Sequence, residues 1–258
     1  MLLLHALGES SASWHLVLPA LAAGHRVHAP DLPGFGGSDP LELPPGGEPD
    51  PPRFAAALSG LLDEVVSDAG DAVTLVASSF AGAVAVQLAR QAPERVRRLV
   101  LVDSAGLGRY VHPVLRAVTV KGFGDAAVAA ARRPLGAVQR ARLRLPLLFA
   151  RPELAPREWI AEQERLGTLP NHLRTTLAAL RAQVTLFGQR RLVLDELAEL
   201  DLPVTVVWGA RDMVLPVTQA SAAARRLPNG RLVVIPDCGH LPALEQPHSF
   251  VTALRADT

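Results

Sequence analysis

The chain has 258 residues, of which 49% are hydrophobic and 20% are charged, and this is the composition of a globular protein that can bury a sizeable core. Its formal net charge of +1 gives no reason to expect nucleic acid as a partner. The single cysteine, Cys238, excludes an internal disulfide framework, so we expect a cytoplasmic protein.

Two stretches bear on whether the chain carries a signal peptide or a membrane span. The start of the chain has a very short apolar run with no basic segment before it, which is unlike a signal peptide. The stretch from Ala72 to Ala89 is long enough to cross a bilayer, but two serines, a threonine and a glutamine interrupt it. It is more typical of a buried strand that runs directly into a buried helix, so we expect no membrane span.

Short apolar runs alternate with helical patterns in the first 106 residues. The runs have the length and composition of strands, and the segments between them have the apolar spacing of helices. The predicted strands are Leu2–Leu4, Arg26–Ala29, Val73–Ala77 and Arg98–Val102. The predicted helices are Phe54–Ala69, with Gly70 as a stop signal, and Phe80–Gln91, which Pro93 closes.

The pattern changes between Leu107 and Glu199, where helix-like stretches follow one another without a clear strand. The alternation then returns, with predicted strands Val204–Trp208 and Arg231–Ile235 and with helices at Val217–Leu227 and from Ala243 onward. Strands that alternate with helices predict an α/β fold with a mainly parallel, doubly wound sheet that is covered on both faces. We therefore expect a core of residues 1–106 and 200–258, and a helical cap formed by residues 107–199, called the helical segment below.

The helical segment carries the positive charge of the chain. Between Leu107 and Glu199 there are 15 basic and 8 acidic side chains, a net charge of +7. A basic lid over a cleft would attract anionic substrates. The alternative is that these side chains are solvated helix faces in a chain whose basic residues are all arginine except Lys121.

Ser78 and Ser79 stand where the third predicted strand turns directly into a predicted helix. Ligands of open α/β sheets bind at the carboxyl ends of strands, and a serine at such a turn projects its hydroxyl above the sheet. The segment resembles the G-x-S-x-G nucleophile elbow of the α/β-hydrolase family, with Ser79 as the nucleophile and with Ala77 and Ala81 in place of the two glycines. Ser78 is the rival nucleophile, and a serine pair that only caps a helix is the structural alternative.

The partners that a serine nucleophile needs follow in the family's chain order of serine, acid and histidine. Asp212 comes after the strand Val204–Trp208 in a segment that resembles the family's acid loop. His240 follows the strand Arg231–Ile235 in a segment that resembles the family's G-H…E-x-P histidine segment. The resemblance therefore implies a catalytic triad of Ser79, Asp212 and His240.

Three other polar residues compete for these roles. Asp103 ends the strand Arg98–Val102 and is the alternative acid, because some family members place the acid there; its other interpretation is structural. Asp237 lies close to His240 in sequence, but we expect its side chain to diverge from the imidazole ring. His248, in the last predicted helix, is interpreted as a packing residue.

The resemblance also implies an oxyanion hole formed by the backbone N–H groups of Leu7 and Phe80. Residues 5–8 resemble the family's H-G-x-G loop, with Ala6 in place of a glycine. If that position requires a positive φ, alanine costs about 1 kcal/mol or more. We expect His5 to brace the loop, and residues 31–39, which resemble the family's D-x-P-G-x-G-x-S segment, to be architectural.

The resemblance extends over nearly the whole chain, but the two antiparallel strands with which family members usually begin have no counterpart in this sequence. Their absence would leave the strand Arg26–Ala29 as an open edge with unpaired backbone groups. Two expectations follow: either the natural start lies upstream of Met1, or the shortened sheet is tolerated, for example through a homodimer along that edge.

The activity implied by the resemblance is that of a serine hydrolase that cleaves a carboxylic ester of a small-molecule acyl substrate through an acyl-enzyme. No metal or organic cofactor is implied, and the sequence has no Cys/His cluster of the kind that holds a metal. The serine nucleophile argues against the haloalkane dehalogenase and epoxide hydrolase branches, which use aspartate. Two alternatives stay open: a hydrolase that cleaves C–C bonds, as the meta-cleavage-product hydrolases do, and a non-catalytic ligand-binding protein on the same fold.

Overall fold

The computed structural model describes residues 1–66, 72–133, 135–227 and 230–255. The strands in these residues are β1 (Leu2–Leu4), β2 (Val73–Ser78), β3 (Val96–Val102), β4 (Val184–Thr185), β5 (Gly188–Gln189), β6 (Val204–Gly209) and β7 (Gly230–Ile235). Five of them form one parallel sheet in the order β1-β2-β3-β6-β7, and β4 pairs with β5 in antiparallel fashion. The prediction of a mainly parallel α/β sheet is confirmed.

The helices confirm most of the predicted pattern. They are α1 (Leu18–Ala22), α2 (Pro51–Val65), α3 (Phe80–Gln91), α4 (Pro113–Val118), α5 (Phe123–Ala131), α6 (Gly136–Leu148), α7 (Arg157–Thr168), α8 (His172–Gln183), α9 (Leu194–Ala198), α10 (Thr218–Ala224), α11 (Pro242–Glu245) and α12 (Pro247–Arg255). Helix α3 has the predicted bounds. Helix α2 begins three residues earlier than predicted because the Asp50 side chain caps it by accepting a hydrogen bond from the Arg53 N–H. The predicted end of that helix, including Gly70, lies outside the described residues.

The sheet is covered on both faces, as its apolar strands require. Successive side chains of a strand point to opposite faces, so Leu2 and Leu4 of β1 join one apolar cluster and Leu3 joins another. The first cluster includes Phe54 of α2 and the apolar residues of α3. The second includes Phe250 of α12. The parallel strands therefore end at one common edge, where the loops after β1, β2, β6 and β7 meet.

The helical segment contains helices α4 to α9, as the sequence predicts, but the expectation that it has no strand is wrong. Strands β4 and β5 form a short hairpin in which Val184 pairs with Gln189 and Thr185 with Gly188. Strands of two residues are too short to produce an alternating apolar pattern, which explains why the sequence does not reveal them.

The prediction of a strand at Arg26–Ala29 is also wrong. This stretch makes only an isolated parallel bridge between His28 and Leu2. The Leu3 N–H donates to the His28 carbonyl at 2.8 Å, and the His28 N–H donates to the Met1 carbonyl at 2.9 Å. The stretch thus runs beside β1 without continuing the ladder, and β1 is the outermost strand of the sheet.

Candidate active site

Ser79 lies in the turn between β2 and α3, at the carboxyl edge of the sheet. Its backbone has a φ of 55° and a ψ of −119°, which L-amino acids rarely adopt. The Ser79 N–H donates to the Val102 carbonyl at 2.8 Å, and its own carbonyl accepts from the N–H groups of Gly82 and Ala105 at 2.9 and 3.0 Å. These hydrogen bonds hold the strained turn in place, so the side chain is directed into the cleft above the sheet.

Small residues allow α3 to lie close to the neighbouring loop. Ala77 and Ala81, which replace the expected glycines, are fully buried. A Cβ atom on Gly82 would lie 1.9 Å from the Oγ atom of Ser104, far inside contact distance. The position in this turn that tolerates no side chain is therefore Gly82, and no residue pattern in the sequence marks it.

The two adjacent serines face different spaces. Ser79 lines the large cleft between the sheet edge and the helical segment. Ser78 instead lines a separate void of about 10 Å³ together with His5 and Trp14. Only Ser79 is therefore directed toward a space that could hold a substrate.

His240 lies between Ser79 and Asp212. Its Nε2 atom is 2.9 Å from the Ser79 Oγ atom, and its Nδ1 atom is 2.8 Å from Oδ2 of Asp212. The other Asp212 oxygen, Oδ1, accepts the N–H groups of Val214 and Leu215 at 2.7 and 3.1 Å. Since Asp212 accepts the Nδ1 proton, Nε2 is left with a lone pair for the serine hydroxyl. The three predicted residues are thus brought together as one buried hydrogen-bonded chain.

The loops that carry the acid and the histidine touch each other directly. A Cβ atom on Gly209, the last residue of β6, would lie 2.0 Å from the Gly239 carbonyl oxygen. Just beyond it, the Arg211 N–H donates to the Cys238 carbonyl at 2.8 Å. This backbone contact fixes the distance between Asp212 and the histidine.

Glu245, the acid of the E-x-P motif, supports the histidine loop from the other side. Its carboxylate accepts the N–H groups of Gly239 at 2.6 Å, Ala150 at 3.2 Å and Arg151 at 3.0 Å. The His240 N–H donates to the carbonyl of Leu148 at the end of α6, at 2.8 Å. The orientation of the imidazole therefore depends on the helical segment as well as on the core. The E-x-P motif in the sequence marks Glu245 but does not indicate these contacts.

Asp103, the alternative acid, makes no hydrogen bond to the imidazole. It is fully buried with a φ of 45°, and its Oδ1 atom accepts the Gly209 N–H at 2.9 Å. Burial, and then the nearby charge of Asp212, raise the pKa of the Asp103 carboxyl well above its usual value. Asp103 thus supports the acid loop at Gly209 and does not orient the imidazole.

Two other residues weighed in the sequence lie away from the imidazole. Asp237 is more than half exposed and forms an ion pair with Arg211 at 2.6 Å, so its side chain diverges as expected. His248 is exposed on α12, so its interpretation as a packing residue is wrong.

Leu7 and Phe80 both line the cleft beside Ser79. Neither backbone N–H has a hydrogen-bond acceptor among the residues that the structure describes, so both are free to bind a ligand oxygen. The described non-glycine residues with a positive φ are Ser79, Asp103 and Asp237, which means that Ala6 needs no strained conformation. The positive φ of this loop, 73°, falls on Gly8.

His5 braces the loop that carries Leu7. Its Nε2 atom accepts the Leu32 N–H at 2.9 Å, and its Nδ1 atom lies 2.9 Å from the Ala6 carbonyl. Burial lowers the pKa of the His5 imidazole, which keeps it neutral and able to accept. Asp31 in turn accepts the N–H groups of Ser11 at 2.7 Å and of Gly37 at 2.8 Å. Both residues hold loops in position, as the sequence predicts.

The cleft above Ser79 and His240 has a volume of about 440 Å³. Its walls are mainly apolar side chains from the helical segment, including Leu115, Leu177 and Leu180. A cleft of this size and polarity suits a small or medium-sized organic ligand.

Among the described residues, one group has the composition and spacing of a possible metal site. It consists of Asp103, Asp212 and His240, whose potential ligand atoms lie within 4.8 Å of one another. Asp212 and His240 are hydrogen-bonded to each other, and the Asp103 Oδ1 atom accepts the Gly209 N–H. The contacts favour a hydrogen-bonded relay over a metal centre.

No helix within the described ranges has the length and apolar character needed to cross a membrane.

The family to which the chain belongs agrees with the fold and with the loops at the edge of the sheet. The chain belongs to the alpha/beta hydrolase family, whose family model matches residues 1–253. It is 34% identical to an uncharacterised protein of Mycobacterium tuberculosis, over 97% of this chain and 72% of that protein. It is 31% identical to the pimeloyl-[acyl-carrier protein] methyl ester esterase of Aeromonas hydrophila, over 97% of this chain and 92% of the esterase.

Solved structures of similar proteins have the same fold. A thermophilic esterase from Thermogutta terrifontis superposes with a TM-score of 0.75 at 27% identity, covering 98% of this chain and 87% of the esterase. A meta-cleavage product hydrolase from Pseudomonas fluorescens IP01 superposes with a TM-score of 0.78 at 21% identity, covering 100% of this chain and 90% of that chain, and shows the fold alone. The family and its esterases support ester hydrolysis at a general level.

Proposed function

We propose that the protein is a serine esterase that cleaves a carboxylic ester of a small-molecule acyl substrate through an acyl-enzyme. The observation that carries this proposal is the buried chain of hydrogen bonds from Ser79 through His240 to Asp212. A serine hydroxyl is a weak nucleophile, and a neutral imidazole at 2.9 Å can take its proton as the bond to the carbonyl carbon forms.

In the first step the Ser79 Oγ atom attacks the ester carbonyl carbon while its proton passes to Nε2 of His240. The charged Asp212 stabilises the imidazolium that results. The tetrahedral intermediate then collapses: the bond to the alcohol oxygen breaks, and the imidazolium gives its proton to that oxygen. The alcohol leaves, and the acyl group stays on Ser79.

In the second step His240 takes a proton from water as the water oxygen attacks the acyl carbon. Collapse of this intermediate breaks the bond to Ser79 Oγ, which regains its proton, and the carboxylic acid leaves. In both steps the negative charge develops on the carbonyl oxygen. The free N–H groups of Leu7 and Phe80 are proposed to stabilise this charge, a contribution of about 3–4 kcal/mol per donor in a well-studied protease.

The helical segment, residues 107–199, is proposed to act as a cap over the core of residues 1–106 and 200–258. Its apolar side chains form most of the cleft wall, and the Leu148 carbonyl binds the N–H of His240. We retain the proposal of a cytoplasmic location, since the chain has a single cysteine and so no internal disulfide.

The test is hydrolysis of a chromogenic short-chain ester by the wild type, Ser79→Ala and Ser78→Ala. Steady turnover by the wild type and Ser78→Ala, with none by Ser79→Ala, is the expected result. Ser78→Ala is the matched control because it removes a hydroxyl one position away that faces a different void. Turnover that survives in Ser79→Ala would refute the proposal.

The alternative of C–C bond hydrolysis uses the same three residues and is distinguished by substrate. If a ring-fission dienoate is turned over and chromogenic esters are not, the protein is a hydrolase of that type. If neither is turned over while ligands still bind in the cleft, the non-catalytic alternative holds.

A further inference from the structure

The cleft above Ser79 contains an imbalance of charge. Its lining includes three charged side chains, Glu9, Arg140 and Arg144, among residues that are otherwise neutral apart from the titratable His240. Two cations and one carboxylate leave an excess of positive charge in a mainly apolar space. Such charges are expensive to hold away from water unless they are paired.

Glu9 and Arg144 are paired with each other. The Arg144 Nη2 atom donates to Oε1 of Glu9 at 2.9 Å. The other Glu9 oxygen, Oε2, accepts from Trp159 Nε1 at 2.8 Å, Gln163 Nε2 at 3.1 Å and Ser13 Oγ at 3.1 Å. Both Glu9 oxygens are therefore hydrogen-bonded, and the carboxylate is paired with Arg144 and not with Arg140.

Arg140 is the cation that remains without an anion. Its Nη2 atom donates to the backbone carbonyl and the side-chain Oε1 atom of Gln163, at 2.9 and 3.1 Å, and both acceptors are neutral. Within the described part of the chain no carboxylate lies within ion-pair distance of Arg140, its Nη1 atom makes no hydrogen bond, and its Nε atom is buried without a partner. The guanidinium therefore keeps unused donors on a side chain that lines the cleft.

The surroundings of Arg140 raise the cost of this charge. Burial, and then the neighbouring Arg144, lower its pKa to about 9 despite the opposing charge of Glu9, and this still leaves it charged at neutral pH. Burial and the same two arginines hold the pKa of His172 at about 3, so this neighbour is neutral and adds no compensating charge. An anion in the cleft would offset the cost, whereas a neutral ligand would not.

Arg140 lies toward the end of the cleft away from the reacting atoms. Leu148, at the end of α6, binds the His240 N–H, and Arg140 lies eight residues earlier on the same helix, about 12 Å along its axis. Arg144, one turn nearer, is already bound to Glu9 and the Gly8 carbonyl. A ligand group that reaches Arg140 is thus separated by several bonds from a carbonyl at Ser79.

We propose that Arg140 binds a carboxylate on the acyl part of the substrate, so that the preferred substrates are monoesters of dicarboxylic acids. This inference rests on the proposed esterase function and adds to it the substrate class. A guanidinium recognises a carboxylate with charge-assisted hydrogen bonds, which are stronger than neutral ones.

The test compares two chromogenic esters of equal chain length, the mono-p-nitrophenyl ester of adipic acid and its neutral terminal amide. The readout is the ratio of kcat/KM for the charged ester to that for the neutral ester. We expect this ratio to fall about 10- to 100-fold in Arg140→Gln, the range for a charged hydrogen bond, and to recover in part in Arg140→Lys. The ratio should stay at the wild-type value in Arg142→Gln.

Arg142→Gln is the matched control because it removes the same charge from the same helix. Arg142 is exposed and lies outside the cleft. An unchanged ratio in Arg140→Gln, or an equal fall in Arg142→Gln, would overturn the assignment. If the wild type hydrolyses neither ester, the proposed function fails separately. The same two compounds are then measured as ligands by calorimetry, where tighter binding of the charged one by the wild type than by Arg140→Gln supports the carboxylate site and equal binding refutes it.

Discussion

The Nε2 atom of His240 lies 2.9 Å from the Oγ atom of Ser79, although 161 positions separate the two residues in the chain. The contact forms because β2 and β7 are parallel strands of one sheet and end at the same edge. The turn after β2 carries the serine, and the loop after β7 carries the histidine. The chemistry proposed for the site depends on this distance and on the acid that orients the imidazole.

Two buried aspartates lie near His240, and only Asp212 bonds to its ring. We predict that Asp212→Asn lowers kcat for an ester by about 10⁴-fold, since the amide favours the wrong imidazole tautomer; this is the scale known for such a change in a serine protease. Asp103→Asn is the matched control and should lower kcat far less, because Asp103 bonds to the Gly209 N–H instead. Steady-state kinetics of both variants make the comparison, and a large loss in Asp103→Asn with little in Asp212→Asn would move the acid to the end of β3.

Because α3 lies close to Ser104, a glycine-to-alanine substitution should have opposite effects on the free energy of unfolding at two helical glycines. Gly82→Ala should lower the free energy of unfolding by about 1–3 kcal/mol, because the new methyl group would overlap the Ser104 side chain. Gly60→Ala, on an open part of α2, should raise it by about 0.5–1 kcal/mol through the higher helix propensity of alanine. Urea unfolding measures both, and equal effects at the two sites would show that the contact is not tight.

The triad could be predicted because each of its residues follows a recognisable strand and stands in a local motif. Ser79, Asp212 and His240 need only their strands to be parallel members of one sheet, and the alternating pattern implies that. The ambiguity between Asp103 and Asp212 could not be resolved in the same way, since both follow buried strands. The two carboxylates differ in their hydrogen-bond partners: Asp212 bonds to the imidazole ring of His240, and Asp103 bonds to the backbone N–H of Gly209.

Other features depend on contacts that no local pattern encodes. Arg140 resembles every other arginine of the helical segment in sequence. It differs in lining the cleft without a carboxylate partner, because Glu9 is paired with Arg144. The stretch Arg26–Ala29 has the composition of a strand but makes a single bridge beside β1. The cost expected for Ala6 does not arise, because the positive φ falls two residues later, at Gly8.

The buried ring of His172 predicts a pH dependence of stability. Both of its nitrogen atoms lack a partner among the described residues, and burial, followed by Arg140 and Arg144, lowers its pKa from 6.5 to about 3. Between these values the unfolded chain binds a proton that the folded chain does not, so the stability present above pH 6.5 is lost as the pH falls toward 3. His172→Leu removes this titration.

The measurement is the free energy of unfolding of the wild type and of His172→Leu at pH 7 and at pH 5. We expect the difference between the two proteins to shift by about 2 kcal/mol in favour of the variant at the lower pH. A difference that is the same at both pH values would mean that the folded protein protonates this histidine freely.

The identity of the nucleophile is the central claim, and covalent labelling tests it most directly. A fluorophosphonate reacts with a serine that an adjacent base activates, and it forms a stable bond to the attacking oxygen. The labelled protein would be digested and the modified residue located by peptide mass spectrometry. We predict a single label on Ser79 that is lost in His240→Ala and retained in Ser78→Ala. A label on Ser78, or labelling of Ser79 that persists unchanged in His240→Ala, would contradict the proposed mechanism.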